Sequence, residues 1–337
     1  MVTPKSIPPL QISKEPGVSV CIPSFNKAEY LGDTIESILC QTYRNFQILV
    51  VDNCSTDHTH EMIQSKYRQK LLYYQNHRNI GATANFNRCI SLAQNDLLMI
   101  LPADDTLLPR FLETTVEWMV KHPSAGIVAT NRYYMDKHST IRKIDEAFFP
   151  GTSVLSREYT IKRILERDGR GVTMPLFRKS CLQAISGFRS DIFFGDVFTW
   201  FQIGALFDIV YINEPLLTWR MGDSGSMVTK AQRDHIYLDH KIYAYTEMFR
   251  FLKKHQITLV DEKSYFKNLL KYNTPKICSI QYPPSRKKLL SYLKMYLRKR
   301  CLHLFSFTQL IQIGMILMFP KKVVENIYSA ACRLTRT

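Results

Sequence analysis

The sequence predicts an α/β domain built on a largely parallel sheet flanked by helices, followed by a helical and strongly basic extension. Three observations predict it. From Val18 onward, short β-branched runs alternate with segments of helical period, the pattern of βαβ units. Several of the runs are almost continuously apolar, as strands buried on both faces require. The charge is also divided along the chain. Residues 1–229 hold 24 Lys and Arg against 23 Asp and Glu, a net of +1, whereas residues 230–337 hold 21 against 6, a net of +15. With 337 residues and 45% hydrophobic content, the chain can bury a sizeable core, which excludes wholesale disorder.

Residues 1–17 contain four prolines and no apolar run, so they read as a loose lead-in and not as a secretory signal. Val18–Ile22 reads as the first strand, stopped by Pro23. Leu31, Ile35, Ile38 and Leu39 recur at helical spacing, with Ser24 or Asn26 available as the helix cap. Phe46–Val51 is the second strand, Leu71–Tyr74 a short third, residues 83–93 a helix, and Leu97–Leu101 the fourth strand. Leu112, Val116, Met119 and Val120 mark a further helix, and Gly126–Thr130 a further strand. The eight cysteines form no Cys-x-x-Cys pair, so neither a zinc ribbon nor a compact disulfide framework is indicated, and reduced thiols are the simpler reading.

Polar residues gather at strand ends. Asp52 and Asn53 follow the second strand, and Asp104 and Asp105 follow the fourth. Ligands of open α/β sheets bind beyond the carboxyl ends of the strands, so these residues can converge on one ligand. The Asp104-Asp105 pair suits a hard divalent cation, and equally a turn ahead of Pro109. Asp52-Asn-Cys-Ser-Thr-Asp57 suits either a ligand loop or an Asx turn capping the next helix. Gly81, with Asn79, Asn85, Asn87 and Arg88, can present backbone N–H groups and a cation to phosphate, or can simply cap a helix. His58 and His60 read as solvent-facing residues at a helix start.

Taken together, Val18-Ser-Val-Cys-Ile-Pro-Ser-Phe-Asn26, Phe46-Gln-Ile-Leu-Val-Val-Asp-Asn-Cys-Ser-Thr-Asp57, Asn79-Ile-Gly81 and Leu101-Pro-Ala-Asp-Asp105 resemble family 2 inverting glycosyltransferases, and the likeness extends to about residue 226. The resemblance implies a GT-A fold, a Rossmann-like mixed sheet flanked by helices, over residues 18–229. It implies a nucleoside diphosphate sugar, such as a UDP- or dTDP-sugar, as donor. It also implies a glycan or lipid-linked hydroxyl acceptor, and Mn²⁺ or Mg²⁺ as cofactor. By that resemblance Pro23 and Asn26 line the nucleotide pocket, Asp52 hydrogen-bonds the base, and Asn53 and Asp57 belong to the same loop. Gly81 and Arg88 stand as candidates for the phosphates. Asp104 and Asp105 match the end of the family's Asp-x-Asp-Asp stretch, which contacts the donor and its metal, although Pro102 replaces the first Asp. Phe188-Arg-Ser-Asp-Ile-Phe-Phe-Gly-Asp196 resembles the segment ending in the catalytic base, which makes Asp196 the base and Asp191 the fallback. Leu216-Leu-Thr-Trp-Arg220 resembles the closing region over the diphosphate, with Arg220 retained and Gly222 where a His is common.

Residues 230–337 read as a basic helical extension. Leu238, Ile242, Tyr245, Phe249 and Leu252 form one apolar face. Between residues 286 and 300, apolar positions and seven Lys or Arg alternate as in a membrane-surface helix. Leu302–Phe319 carries no charge, but its Ser, Thr, Gln and Gly content and its basic flanks on both sides argue for an in-plane segment and against a span. An anionic membrane surface is therefore the expected partner of residues 286–337, with the protein peripheral on the cytoplasmic face. The alternatives are a polyprenyl phosphate acceptor, and a nucleic-acid-binding role for the tail. No nucleic-acid module is recognisable, and no Gly-x-Gly-x-x-Gly follows the first strand, which argues against a dinucleotide enzyme.

Overall fold

β-branched and aliphatic residues favour extended backbone, and β1 (Val18–Ser24) is buried along nearly its whole length. The computed structural model describes residues 13–145, 149, 151–166, 173–193, 195–221, 237–262 and 265. β1 pairs in parallel with β2 (Phe46–Asp52) on one side and β4 (Leu97–Ile100) on the other, and β3 (Leu72–Gln75) extends the sheet beyond β2. Strand order reverses at β1, which opens a crevice at its carboxyl end. The strand runs past the stop predicted at Pro23. Its pairing with β4 ends at Cys21, whereas β2 continues opposite Pro23 and Ser24. Pro23 thus has a neighbouring strand on one side only, so its missing N–H need break no ladder bond.

Helices α1 (Ala28–Leu39), α2 (Thr59–Met62, continued by a wider turn over Ile63–Tyr67), α3 (Ala82–Leu92) and α4 (Phe111–Lys121) connect the strands. Short β5 (Thr106–Leu107) precedes α4. The third strand and the following helix each lie one residue from their predicted positions. β6 (Ala125–Met135) is far longer than the predicted Gly126–Thr130. The remaining elements are β7 (Ile141–Ile144), β8 (Ser153–Leu155), α5 (Arg157–Glu166), β9 (Leu176–Arg178), α6 (Lys179–Ala184), α7 (Gly195–Leu206), β10 (Asp208–Arg220) and α8 (Tyr237–Lys254). The sheet order is β3-β2-β1-β4-β9-β6-β10-β5, with β7 on β6 and β8 on β10. β9 is antiparallel to both β4 and β6, and β10 is parallel to β6. The parallel half therefore continues into a mixed half, as the resemblance implied.

Leu31, Ile35 and Ile38 of α1 pack with Val20, Ile22, Val50 and Met99 in one core, all fully buried or nearly so, each worth about 1.5–3 kcal/mol. Arg178 is buried as well. Its Nε donates to the Ala125 carbonyl at 2.7 Å and its Nη2 to the Met119 carbonyl at 2.6 Å, which satisfies carbonyls around the end of α4.

Met1–Ser226 and His240–Leu259 form one compact unit, and Met227–Asp239 with Val260–Thr337 form another. The body therefore takes in α8 from His240 onward, beyond the boundary at residue 229 read from charge. Tyr245, Phe249 and Leu252, expected on one apolar face, are buried in it. Gly222, the basic stretch 286–300 and the uncharged run 302–319 lie outside the described residues, as does the side chain of Leu238. Among the described residues no helix is long and apolar enough to cross a membrane.

Candidate active site

The crevice at β1 is bordered by two loops stitched to each other. Asn26, at φ 52°, accepts from the Thr56 amide at 2.8 Å, and its own amide donates to Ser55 Oγ at 2.9 Å. Asp57 Oδ2 accepts from the Ala28 amide at 3.0 Å, while Oδ1 accepts from the Thr59 amide and hydroxyl. Neither Ser24 nor Asn26 caps α1, as the sequence suggested. Asp57 serves the start of α2 two residues on and the start of α1 from 29 residues away. Its burial favours the neutral acid, but these bonds outweigh that and hold its carboxyl below the usual range.

Asp52 is fully buried. Oδ1 accepts from the Ser55 amide and hydroxyl, and Oδ2 from Tyr73 Oη at 2.7 Å and Gln75 Nε2 at 3.1 Å. Four donors fill the roughly four lone-pair sites of a carboxylate. The resemblance gave Asp52 directly to the nucleotide base. In this structure it instead shapes the loop, and a base N–H would have to displace one of those donors.

Asn53 is buried and bonds Asn76, Asn79 and the Ile80 amide. Asn85 donates to the Val51 carbonyl at 2.9 Å and accepts from Asn76 at 2.8 Å. Gly81, at φ 85°, starts α3 with its amide on Asn79 Oδ1, and only glycine takes that conformation without strain. Asn85, read as a possible phosphate contact, is scaffold here because both ends of its amide are spent internally, whereas exposed Asn79 accepts from Asn53 and the Gly81 amide through Oδ1. Arg88 is exposed on the second turn of α3 and not at its first. Asn85→Ala should leave buried partners unsatisfied at about 1–3 kcal/mol each, which thermal unfolding would register as a Tm several degrees lower.

At the neighbouring strand end, Asp104 Oδ2 pairs with Lys27 Nζ at 2.6 Å. Asp105 is buried. Its Oδ1 accepts from the Arg220 amide at 2.7 Å and its carbonyl from Thr34 Oγ1 at 2.8 Å. No donor among the described residues reaches Oδ2 of Asp105. Burial pushes this carboxyl up to about 8; the Arg220 amide opposes the rise and the Asp104 charge adds to it. Among the described residues no three His, Cys, Asp or Glu side chains converge as a ready-made metal cage. A hard cation is commonly held by one or two carboxylates, with substrate phosphates completing the shell. The bare Oδ2 of Asp105 and the partly exposed Asp104 fit such a cation.

The sequence reading gave the Arg220 guanidinium to donor phosphate, but most of it is committed elsewhere. Nε donates to the Asp104 carbonyl at 2.9 Å and Nη1 to the Asp136 carbonyl at 2.9 Å, and the group lies 4.4 Å from the Tyr30 ring centroid. Nη2, buried with no hydrogen-bond partner among the described residues and 3.8 Å from Asp33 Oδ2, is the part left for an anion.

Asp196 opens α7. The segment before it is held by α3. Asn87 Nδ2 donates to the Phe188 carbonyl, and its Oδ1 accepts from the Phe188 amide, both at 2.8 Å. A Cβ on Gly187, at φ 72°, would stand 2.5 Å from Asn87 Oδ1. Asp196 is exposed as a residue, yet crowding of its carboxylate by protein raises its pKa. The backbone N–H groups of Asp196 and Val197 offset part of that rise. Trp200, one turn on, packs against Phe177 and Phe188. His58 and His60 are exposed, as expected. Sequence reasoning missed Lys27, Tyr73 and Asn76. Asn76 had a signal, since it follows β3 as Asn53 follows β2, whereas Lys27 and Tyr73 had none.

Residues 19–184 match the family model described as glycosyl transferase family 2. The abequosyltransferase RfbV of Salmonella typhimurium is 28% identical over 281 residues, covering 77% of this chain and 81% of that protein. The chain spans about half the length of the first two curated relatives it matches, 46% and 45%. Among solved structures, S. aureus TarS 1–349 in complex with UDP-GlcNAc superposes with a TM-score of 0.57 at 16% identity, covering 94% and 92% of the two chains. The mannosyltransferase PcManGT of Pyrobaculum calidifontis, in complex with GDP-Man and Mn²⁺, superposes at 0.51 with 16% identity, covering 91% and 88%. The mixed sheet flanked by helices is thus that of a GT-A fold, and residues 19–184, about half of the chain, are similar to glycosyl transferase family 2.

Proposed function

We propose that the protein is an inverting glycosyltransferase that moves a sugar from a UDP- or dTDP-sugar to a hydroxyl acceptor, in a glycan or on a lipid-linked precursor. One observation carries the reading: the buried, under-bonded Asp105 and its neighbour Asp104 border the same crevice as the Asn26 and Asp52–Asp57 loops. A nucleotide seated between those loops would direct its diphosphate towards the aspartates. The nucleotide sugars held by TarS and PcManGT support a donor of this class, and the Mn²⁺ in PcManGT supports a divalent metal.

The residues divide the work. Pro23, Asn26 and the Asp52-shaped loop receive the nucleoside. Gly81 at the start of α3 and Nη2 of Arg220 are the nearest candidates for phosphate oxygens. Asp105, with Asp104, would hold a divalent cation, which when bound supplies positive charge against that developing on the departing nucleoside diphosphate. Asp196 takes the proton from the acceptor hydroxyl as its oxygen attacks the anomeric carbon from the side opposite the leaving group.

The raised carboxyl of Asp196 gives this reading a pH signature. The base works only when ionised, so transfer is present above its pKa and lost as pH falls through it. Because desolvation of the carboxylate by surrounding protein raises that pKa, the acid limb of kcat should lie above the ordinary carboxylate range of about 4. A kcat–pH profile breaking at or below that value would count against Asp196. Residues 286–337 would keep the protein on an anionic membrane surface, each basic group near it contributing about 1 kcal/mol. Flotation with phosphatidylglycerol vesicles, lost at high salt, checks this. Salt-sensitive RNA binding without flotation would contradict it.

A further inference from the structure

The segment that carries Asp196 is gripped from two sides, and the second grip comes from α8. Arg189 is its hub. Nε and Nη2 bond the two oxygens of Asp191, Nη1 donates to Glu247 Oε2 at 2.7 Å, and the guanidinium lies 5.4 Å from the Phe198 ring centroid. Glu247 is a buried carboxylate on α8, and Arg250 also bonds it. Tyr243, one turn earlier, donates its hydroxyl to Asp191 Oδ2 at 2.8 Å, and His240 stacks on Phe193 at 4.8 Å. Apart from the Arg250–Glu247 pair within α8, every contact of this set joins residues 189–198 internally or ties them to residues 240–250, and Asp196 lies between the held Phe193 and Phe198.

The chemistry suits a fixed support. A guanidinium binding one carboxylate bidentately and a second end-on is held in one plane. Arg250 bonds the other oxygen of buried Glu247, so the carboxylate is presented to Arg189 in one orientation. Asp191 is held well below the usual carboxylate range by its bonds from Arg189, against a smaller opposing effect of burial. It therefore stays ionised and paired, and the fallback role of base read from the sequence goes instead to this support.

We infer that Arg189, clamped between Asp191 and Glu247 of α8, is a positioning residue that sets where Asp196 meets the acceptor. This rests on the reading of Asp196 as base. A small displacement of a catalytic group can cost on the order of 100-fold in rate, while donor binding, which uses other loops, stays as it is.

The test uses the full chain with Arg189→Met, Glu247→Gln and the double variant, measured by amide hydrogen exchange and by steady-state kinetics. Exchange over residues 189–198 should speed up by about tenfold in both single variants, with β1 unchanged, because the two substitutions open one bridge. Turnover should fall roughly 10- to 100-fold in kcat with donor KM within about twofold. The double variant should lose little more than Arg189→Met alone, since both act through one bridge. Unchanged exchange over 189–198 would overturn the inference whatever the activity. Faster exchange with wild-type kcat would overturn it too, provided that Asp196→Asn abolishes turnover. If Asp196→Asn leaves turnover intact, it is the assignment of the base that has failed.

Discussion

Asp196→Asn is expected to lower kcat for sugar transfer by about 10²–10⁴-fold, the usual contribution of a positioned general base, while the KM for the donor changes little. The substitution keeps the side chain's size and its place at the start of α7, so folding should survive. It removes only the ability to take up a proton. The size of the effect also separates two acceptor classes. A hydroxyl must lose its proton as it attacks, whereas a polyprenyl phosphate is already an anion and needs no base. A loss of only severalfold, with nucleotide-dependent transfer otherwise intact, would point to the phosphate acceptor. The measurement is single-turnover transfer at saturating donor, which isolates the chemical step from product release.

The second large effect is expected at Asp105. Asp105→Asn keeps the acceptor oxygen for the Arg220 amide but removes the negative charge that a cation would bind. Donor turnover should fall by on the order of 10²–10³-fold, the scale of removing one electrostatic contact to a developing charge. Added Mn²⁺ should no longer tighten nucleotide binding measured by calorimetry. The variant should be at least as stable as the parent, because burial already disfavours the ionised form of this side chain. The sign follows from the shift. A carboxyl raised in the folded protein costs stability as pH rises through its ordinary value towards about 8, and an amide escapes that cost. A parent enzyme indifferent to chelator, with Asp105→Asn fully active, would remove the metal from the account.

Much of this was legible in the sequence. The strands β1, β2 and β4 were visible as apolar runs, and the placement of Asp52, Asn53, Asp104 and Asp105 beyond strand ends pointed to the crevice before any fold was seen. What stayed hidden depends on partners distant in sequence. Nothing local says that Asp57 caps α1 across 29 residues, or that Asp52 spends its oxygens on Ser55, Tyr73 and Gln75. The segment around Gly81 suited either a phosphate or a plain helix cap, and nothing local showed that the Asn85 side chain is buried on the Val51 carbonyl. Charge counting misplaced α8 for a different reason. A helix can carry basic residues and still bury Tyr245, Phe249 and Leu252, so net charge did not mark where the body ends. The mixed half of the sheet was legible only through the family resemblance and not from local pattern, since β9 is only three residues long.

The central claim is that the crevice binds a nucleoside diphosphate sugar and that Asp196 acts on it. The most direct test incubates the full chain with a panel of UDP- and dTDP-sugars and Mn²⁺ or Mg²⁺ and follows release of the nucleoside diphosphate, in the parent and in Asp196→Asn. The account predicts release from at least one donor in the presence of the metal, and its loss in Asp196→Asn. No release from any donor of the panel, or equal release by the parent and Asp196→Asn, would contradict it.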